Sequence, residues 1–187
     1  MPLTTLDPRT ALIVVDLQKG IVALPLAHPV ENVIGRTRAL LDAFRKRGLP
    51  VVLVNVAGGA PGRTEQPRRA LAFTPDWIEL IPELDRQATD IAVTKQTWGA
   101  FASTDLESRL KSLGVTQVVI TGIATGTGVE ATARQAYEHG LNVTLAIDAM
   151  TDGRPEAHDY SIRQVFPRLG ETGTVQEVID LLETRSA

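Results

Sequence analysis

One rhythm in this chain constrains its fold more than anything else: short, continuous runs of aliphatic and β-branched residues alternate with longer stretches of helical spacing. The runs are "ALIVVD" (11–16), "PVVLVNV" (50–56), "DIAVTK" (90–95), "TQVVIT" (116–121) and "LNVTLAID" (141–148), with a weaker sixth in "GTVQ" (173–176). They are too uniformly apolar for a sheet with one face in water, so each is read as a strand buried on both faces. Helical patterns cover 30–48, 104–114, 127–140, 155–170 and 175–185, and four of these close on glycine, the usual left-handed stop. Strand–helix alternation of this kind predicts a mainly parallel sheet with helices on both faces. The chain has 187 residues with no internal repeat or low-complexity linker, so a single domain over 1–187 is expected. The exceptional segment is 57–75, "AGGAPGRTEQPRRALAFTP", between the second and third strands. A long ordered connection is more often functional than idle.

Composition removes several kinds of chemistry. The chain has no cysteine, which excludes disulfides, thiolate metal sites and a cysteine nucleophile. Its three histidines, His28, His139 and His158, lack the spacing of a zinc site and read as surface or helix-end residues, so no metal is expected. A net charge of −3 with interspersed signs offers nothing to nucleic acid or a membrane surface. No apolar run nears the roughly 20 residues of a membrane span. The N-terminal "MPLTTLDPRT" lacks the basic start and apolar stretch of a signal peptide, so a cytoplasmic location is expected.

Ligands of an open parallel sheet bind outside the carboxyl ends of its strands. There the first strand delivers Asp16 in "VVDLQKG", the third Lys95 in "AVTKQTWGAF", and the fourth the loop "GIATGTGVEATAR" (122–134). Singly these are ordinary: a strand-end aspartate is often a turn or a cap, and a strand-end lysine is usually solvated. Delivered to one edge they are more informative, and a close pair explains how either stays charged in a cleft. The loop has two local readings. Gly126, Gly128 and Ala131 fit the dinucleotide pattern G-x-G-x-x-A, with Asp148 twenty residues beyond Gly128 as a ribose acid. Against that, Ile123, Ala124 and Thr125 separate the glycines from the strand, and too little chain follows for a second nucleotide-binding half. Alternatively the loop is only a helix start, with Thr127 and Glu130 at capping-box spacing.

In "ALIVVDLQKG", "KQTWGAF", "VVITGIATGTGVEATARQAYEHGLNVTLAIDAMTD" and "AHDYSI", in that order, the chain resembles the isochorismatase-like hydrolases, a superfamily that includes nicotinamidases and other cysteine amidohydrolases. The resemblance implies an α/β/α sandwich around a six-stranded sheet of order 3-2-1-4-5-6. It matches Asp16 and Lys95 to the family's acid and lysine, and Gly128 to the position of its nucleophilic cysteine. It also implies a non-proline cis peptide between Ile123 and Ala124. The isochorismatases likewise carry glycine where the amidohydrolases carry cysteine, and they hydrolyse a vinyl ether with an acid in place of a nucleophile.

The expected activity is therefore cofactor-free hydrolysis of a small, anionic molecule, with Asp16 as the acid and Lys95 as its charge partner. Backbone around Ile123, Ala124, Thr125, Thr127 and Gly128 would hold negative charge, Gln18 would position water or Asp16, and Trp98 and Phe101 would wall the pocket. Arg68 in "TEQPR", with Arg63 and Arg69 nearby, would bind a substrate carboxylate. A homo-oligomer, dimer or larger, is also expected. The family's glutamine before this motif is replaced in "NVAGGAPG", its loop tyrosine appears as Ala124, and the nicotinamidase metal motif is absent. Two other readings stand beside this one: a cysteine-to-glycine variant or pseudoenzyme of an amidohydrolase, and a nucleotide-binding module.

Overall fold

Strand β1 (Thr10–Val15) is buried along its whole length, as its unbroken apolar run requires. In this computed structural model, which describes residues 3–66 and 73–184, β1 is a central strand of a six-stranded sheet. The others are β2 (Val51–Val56), β3 (Ile91–Lys95), β4 (Gln117–Ile123), β5 (Asn142–Thr151) and β6 (Glu171–Gly173). All pairings are parallel and the order is β3-β2-β1-β4-β5-β6. Strand order reverses between β1 and β4, so their carboxyl ends diverge around a crevice.

Seven α-helices complete the described fold: α1 (Lys19–Val22), α2 (Val30–Lys46), α3 (Pro75–Ile78), α4 (Leu106–Ser112), α5 (Glu130–Glu138), α6 (Pro155–Tyr160) and α7 (Val175–Glu183). Side chains alternate across each strand. Leu12 and Val14 of β1 therefore join Leu40, Leu41 and Phe44 of α2 and Val178 and Leu182 of α7 in one core. Ala11, Ile13 and Val15 join Leu106 and Leu110 of α4 and Ala133 and Ala136 of α5 in the other. Val33, Thr37, Leu40, Leu41 and Phe44 form the buried stripe of α2, a helical repeat that keeps its outer face polar. Each large apolar side chain buried this way stabilises the fold by about 1.5–3 kcal/mol. The result is the three-layer α/β/α sandwich.

Three of the four predicted glycine stops, Gly48, Gly114 and Gly140, have positive φ; Gly170 does not. The sixth strand falls at 171–173, slightly before the predicted run, because Thr174 caps α7 through a capping box with Glu177. β5 continues to Thr151, past a register shift against β4, so Asp148 lies inside the strand and not at its end. Asp148 instead accepts the Val175 amide (2.8 Å) and pairs with Arg36 (3.3 Å). It is not placed as a ribose acid.

Candidate active site

Asp16 follows the last residue of β1, and its amide still bonds Val54 O across the sheet at 2.9 Å. Its φ of 53° turns the chain out of the strand into the left-handed region, which aspartate tolerates better than most residues. Lys95 ends β3 and, against the usual habit of strand-end lysines, is only 1% exposed. Its Nζ lies 2.8 Å from Asp16 Oδ2 and donates to Thr97 O at 3.3 Å. The other oxygen, Asp16 Oδ1, is buried without a hydrogen-bond partner among the described residues. Burial pushes the Asp16 carboxyl up from 3.8 to about 6, although the charge and hydrogen bond of Lys95 pull the other way. Desolvation wins, and an unpartnered oxygen makes the protonated form easier to hold.

The fourth strand supplies the opposite wall. Gly122 adopts φ 119°, and a side chain there would strike the backbone of Val15, so β1 and β4 approach each other as only glycine permits. The Ile123–Ala124 peptide is cis, as the resemblance implied. A single π-helical turn, Thr125–Val129, then leads into α5. Gly128 faces Asp16: a Cβ on it would lie 3.1 Å from Asp16 Oδ2 and 3.1 Å from Val15 Cγ1. The glycine thus keeps the space over the acid open.

A cavity of about 510 Å³ unites these elements. Asp16, Lys95, Ile123, Ala124, Thr127 and Gly128 border it, with Trp98 at its edge, 69% exposed. Several expected members sit elsewhere. Gln18 is buried and spends its amide on the fold, donating to Val56 O and Trp77 O and accepting from Val56 N, so it orients neither water nor Asp16. Phe101 is a core residue, with its ring 5.2 Å from that of His139, and its backbone amide donates to Gln135 Oε1 at 2.9 Å. Thr125 points away from the cavity, its hydroxyl 2.8 Å from His158 Nδ1. Thr127 and Glu130 form no capping box; Glu130 accepts from Ser161 Oγ and pairs with Arg134. Arg68 and Arg69 lie outside the described residues, while Arg63 is exposed and does not border the cavity.

Other residues of the cavity had not been singled out in the sequence. Ile21, Leu24, Pro25 and Leu26 come from the β1–α2 connection, Phe73 and Trp77 from around α3, and Asp152, Gly153 and Arg154 from beyond β5. Trp77 is seated by Gly20, where any side chain would collide with the indole, and Lys19 holds α3 through Asp76 (2.9 Å) and Glu79 (2.7 Å). Asp152, only 5% exposed, accepts Gly126 N through Oδ2 (2.8 Å) and Arg154 N through Oδ1 (3.1 Å). It clamps the glycine loop to the β5–α6 turn. Removing it leaves two amides without acceptors, so Asp152→Ala should cost about 1–3 kcal/mol in urea unfolding. A loss within about 0.5 kcal/mol would show that the clamp is idle.

Among the described residues, no group of three or more His, Asp or Glu side chains could hold a metal, and no helix is long and apolar enough to cross a membrane. A larger depression, about 830 Å³, lies at the opposite sheet edge around Pro50, Ile91 and Leu113. Its Arg45 is already engaged by Asp90 at 2.6 Å, and nothing there pairs an acid with open space.

Residues 10–177 match the isochorismatase domain family. The chain is 38% identical to the isochorismatase family protein YwoC of Bacillus subtilis, over 92% of this chain and 93% of that one. Against YecD of Escherichia coli O157:H7, of the same family, identity is 37%, over 92% and 96%. A solved isochorismatase family protein of Burkholderia thailandensis superposes with TM-score 0.92 and 40% identity, over 98% of this chain and 99% of that one.

Proposed function

The chain belongs to the isochorismatase family of hydrolases, and from that premise we propose that it hydrolyses a small anionic enol ether, with Asp16 as the proton donor and no covalent intermediate. One observation carries the reading: a buried carboxyl, raised to about 6 and with one oxygen unpartnered, faces the open space over Gly128. A carboxyl at its ordinary value would cost roughly 4 kcal/mol to protonate at pH 7; at about 6 the cost falls to about 1.4 kcal/mol.

The chemistry follows from that proton. Asp16 gives it to the terminal carbon of CH2=C(COO⁻)–O–R, and the double-bond electrons form the new C–H bond. The ether oxygen shares the resulting positive charge as an oxocarbenium, which the carboxylate left on Asp16 stabilises. Water adds to the carbon that bears the ether oxygen and the carboxylate and loses a proton to Asp16, and the resulting hemiketal collapses, its hydroxyl proton passing to the ether oxygen, to a 2-oxo acid and the alcohol R–OH. Lys95 keeps the Asp16 carboxylate oriented between these steps. No step asks for a nucleophilic side chain, which suits a chain without cysteine.

The pH dependence tests the assignment. Because the protonated form acts, kcat/KM should be high below about 6 and fall about tenfold per pH unit above it. Lys95 lowers the Asp16 value, so Lys95→Met should reduce the maximal rate severely yet move the descending limb to higher pH. A flat profile between about pH 5 and 8, or a limb displaced downward in Lys95→Met, would contradict the proposal.

A further inference from the structure

The connection between β1 and α2 carries three apolar residues of the cavity wall, Leu24, Pro25 and Leu26, and no strand or helix holds them. Their anchorage comes just after. Ala27 N donates to Asp152 O at 2.8 Å, and His28 N donates to Thr151 Oγ1 at 3.2 Å. The His28 ring stays on the same residue, its Nδ1 3.0 Å from Thr151 Oγ1. It also leans on a second imidazole: the His28 and His158 ring centroids are 4.6 Å apart, with the planes tilted by 54°.

Read from the sequence as a surface or helix-end residue, His158 is only 8% exposed within α6, and the exposed His28 covers it. Its Nδ1 lies 2.8 Å from the hydroxyl of Thr125, a fully buried residue of the glycine loop. Thr151 in turn pairs in register with Ile123, two residues before Thr125. Two histidines and two threonines thus tie the cavity wall to the end of β5, to α6 and to the glycine loop.

Charge works against this arrangement. Burial, and after it the charge of His28, lower the His158 pKa from its ordinary 6.5, while Asp159 and Asp152 oppose them less strongly. The remaining charges beside the pair, Arg36 of α2 and Asp148 of β5, engage each other at 3.3 Å. A proton on His158 therefore calls for water, and the side chain in the way is a second ring able to carry the same charge.

We propose that His28 and His158 form a proton-sensitive latch on the cavity. With both rings neutral, the pair fastens the wall of Leu24, Pro25 and Leu26 to the glycine loop; with His158 charged, His28 is displaced and the wall is released. The open form leaves His158 in water, where it takes up its proton near 6.5, and the latched form does so only at lower pH. The latch is therefore at full strength above 6.5 and weakens as the pH falls below it. This device belongs to the cavity wall and does not depend on the enol-ether reading.

Amide hydrogen exchange, read by NMR without substrate, tests it. Protection factors of the Ala27 and His28 amides should fall about fivefold or more between about pH 7 and 5, while those of β1 and β4 amides hold. His158→Gln keeps a hydrogen-bond partner for Thr125 but takes no charge, so it should abolish the fall. Asp16 also titrates in this range, at about 6. An equal fall in His158→Gln would assign the response to another group and overturn the latch, as would unchanged protection in the wild-type protein. Ring titrations in the same spectra decide the matter should His158→Gln fail to fold. His28→Ala strips both the cover and the neighbouring charge from His158 and should move its titration to higher pH. No movement, or a wild-type His158 titrating at or above 6.5, would equally overturn the proposal.

Discussion

Asp16→Asn should reduce kcat/KM for an enolpyruvyl ether by about 10²–10⁴-fold, the usual worth of a positioned general acid. The amide keeps the shape of the carboxyl and can still offer its oxygen to Lys95 Nζ, now 2.8 Å from Asp16 Oδ2. It cannot deliver a proton to carbon. Asp16→Ala should be as inactive, but it strands the Lys95 ammonium at a site 1% exposed. Breaking a buried pair in that way costs about 3–5 kcal/mol, so the alanine variant mixes lost chemistry with lost stability. Asparagine is therefore the informative substitution, read beside a circular dichroism melt that should stay near wild type. Retention of wild-type turnover by Asp16→Asn would remove Asp16 from the mechanism.

Gly128→Cys should convert the open space over Asp16 into a reactive thiol. A Cβ there meets Asp16 Oδ2 and Val15 Cγ1 at 3.1 Å and Ile123 O at 3.4 Å, tight contacts that shifts of a few tenths of an ångström relieve. Gly128 stands in the turn leading into α5, at the positive end of that helix's dipole, which favours an anion even though the Thr127 and Val129 amides bond Ala124 O and the Gly126 amide bonds Asp152. Lys95 adds a positive charge, and Asp16, with its proton affinity already raised to about 6, can accept the thiol proton. A free thiol with pKa about 8.5 is well under 1% ionised at pH 6. Alkylation of Gly128→Cys by iodoacetamide at that pH should outpace free cysteine by about tenfold or more. Adding Asp16→Asn should slow it by removing the proton acceptor. A thiol titrating near 8.5 would show that the pocket does not favour an anion.

The sheet was legible because burial on both faces writes itself into the sequence as unbroken apolar runs; β1, β2 and β4 are buried where "ALIVV", "VVLV" and "QVVIT" stand. The meeting of Asp16 with Lys95 was legible because each stands at the end of a strand and parallel strands deliver their ends to one edge, although β3, at the sheet edge, is buried only at alternate residues and not on both faces as its apolar run suggested. Side-chain direction within loops was not. Gln18 and Thr125 read as site residues by position, yet their polar atoms satisfy Val56, Trp77 and His158, and only the three-dimensional path decides this. Phe101 packs into the core on the α4 and α5 side, and its amide bonds Gln135, thirty-four residues away, contacts without local signal. Asp152 and Arg154 lay within "MTDGRPEAH", which carries the composition of an ordinary turn before a helix. The overrun of β5 to Thr151, past its register shift, puts that turn against the glycine loop. The short helix α3 had a usable signal in "TPDWI", a threonine cap followed by proline at the first helical position.

The most direct measurement compares kcat/KM of the wild-type protein for 3-(1-carboxyvinyloxy)benzoate and for nicotinamide under the same conditions. Amide hydrolysis at this site would need direct attack by water, without the covalent intermediate that divides the barrier into two smaller ones. Protonation of an enol ether needs only the buried acid and a site that tolerates a brief cation. The account predicts release of pyruvate and 3-hydroxybenzoate from the ether, lost in Asp16→Asn, with little or no ammonia from nicotinamide. Faster turnover of nicotinamide than of the ether would contradict it.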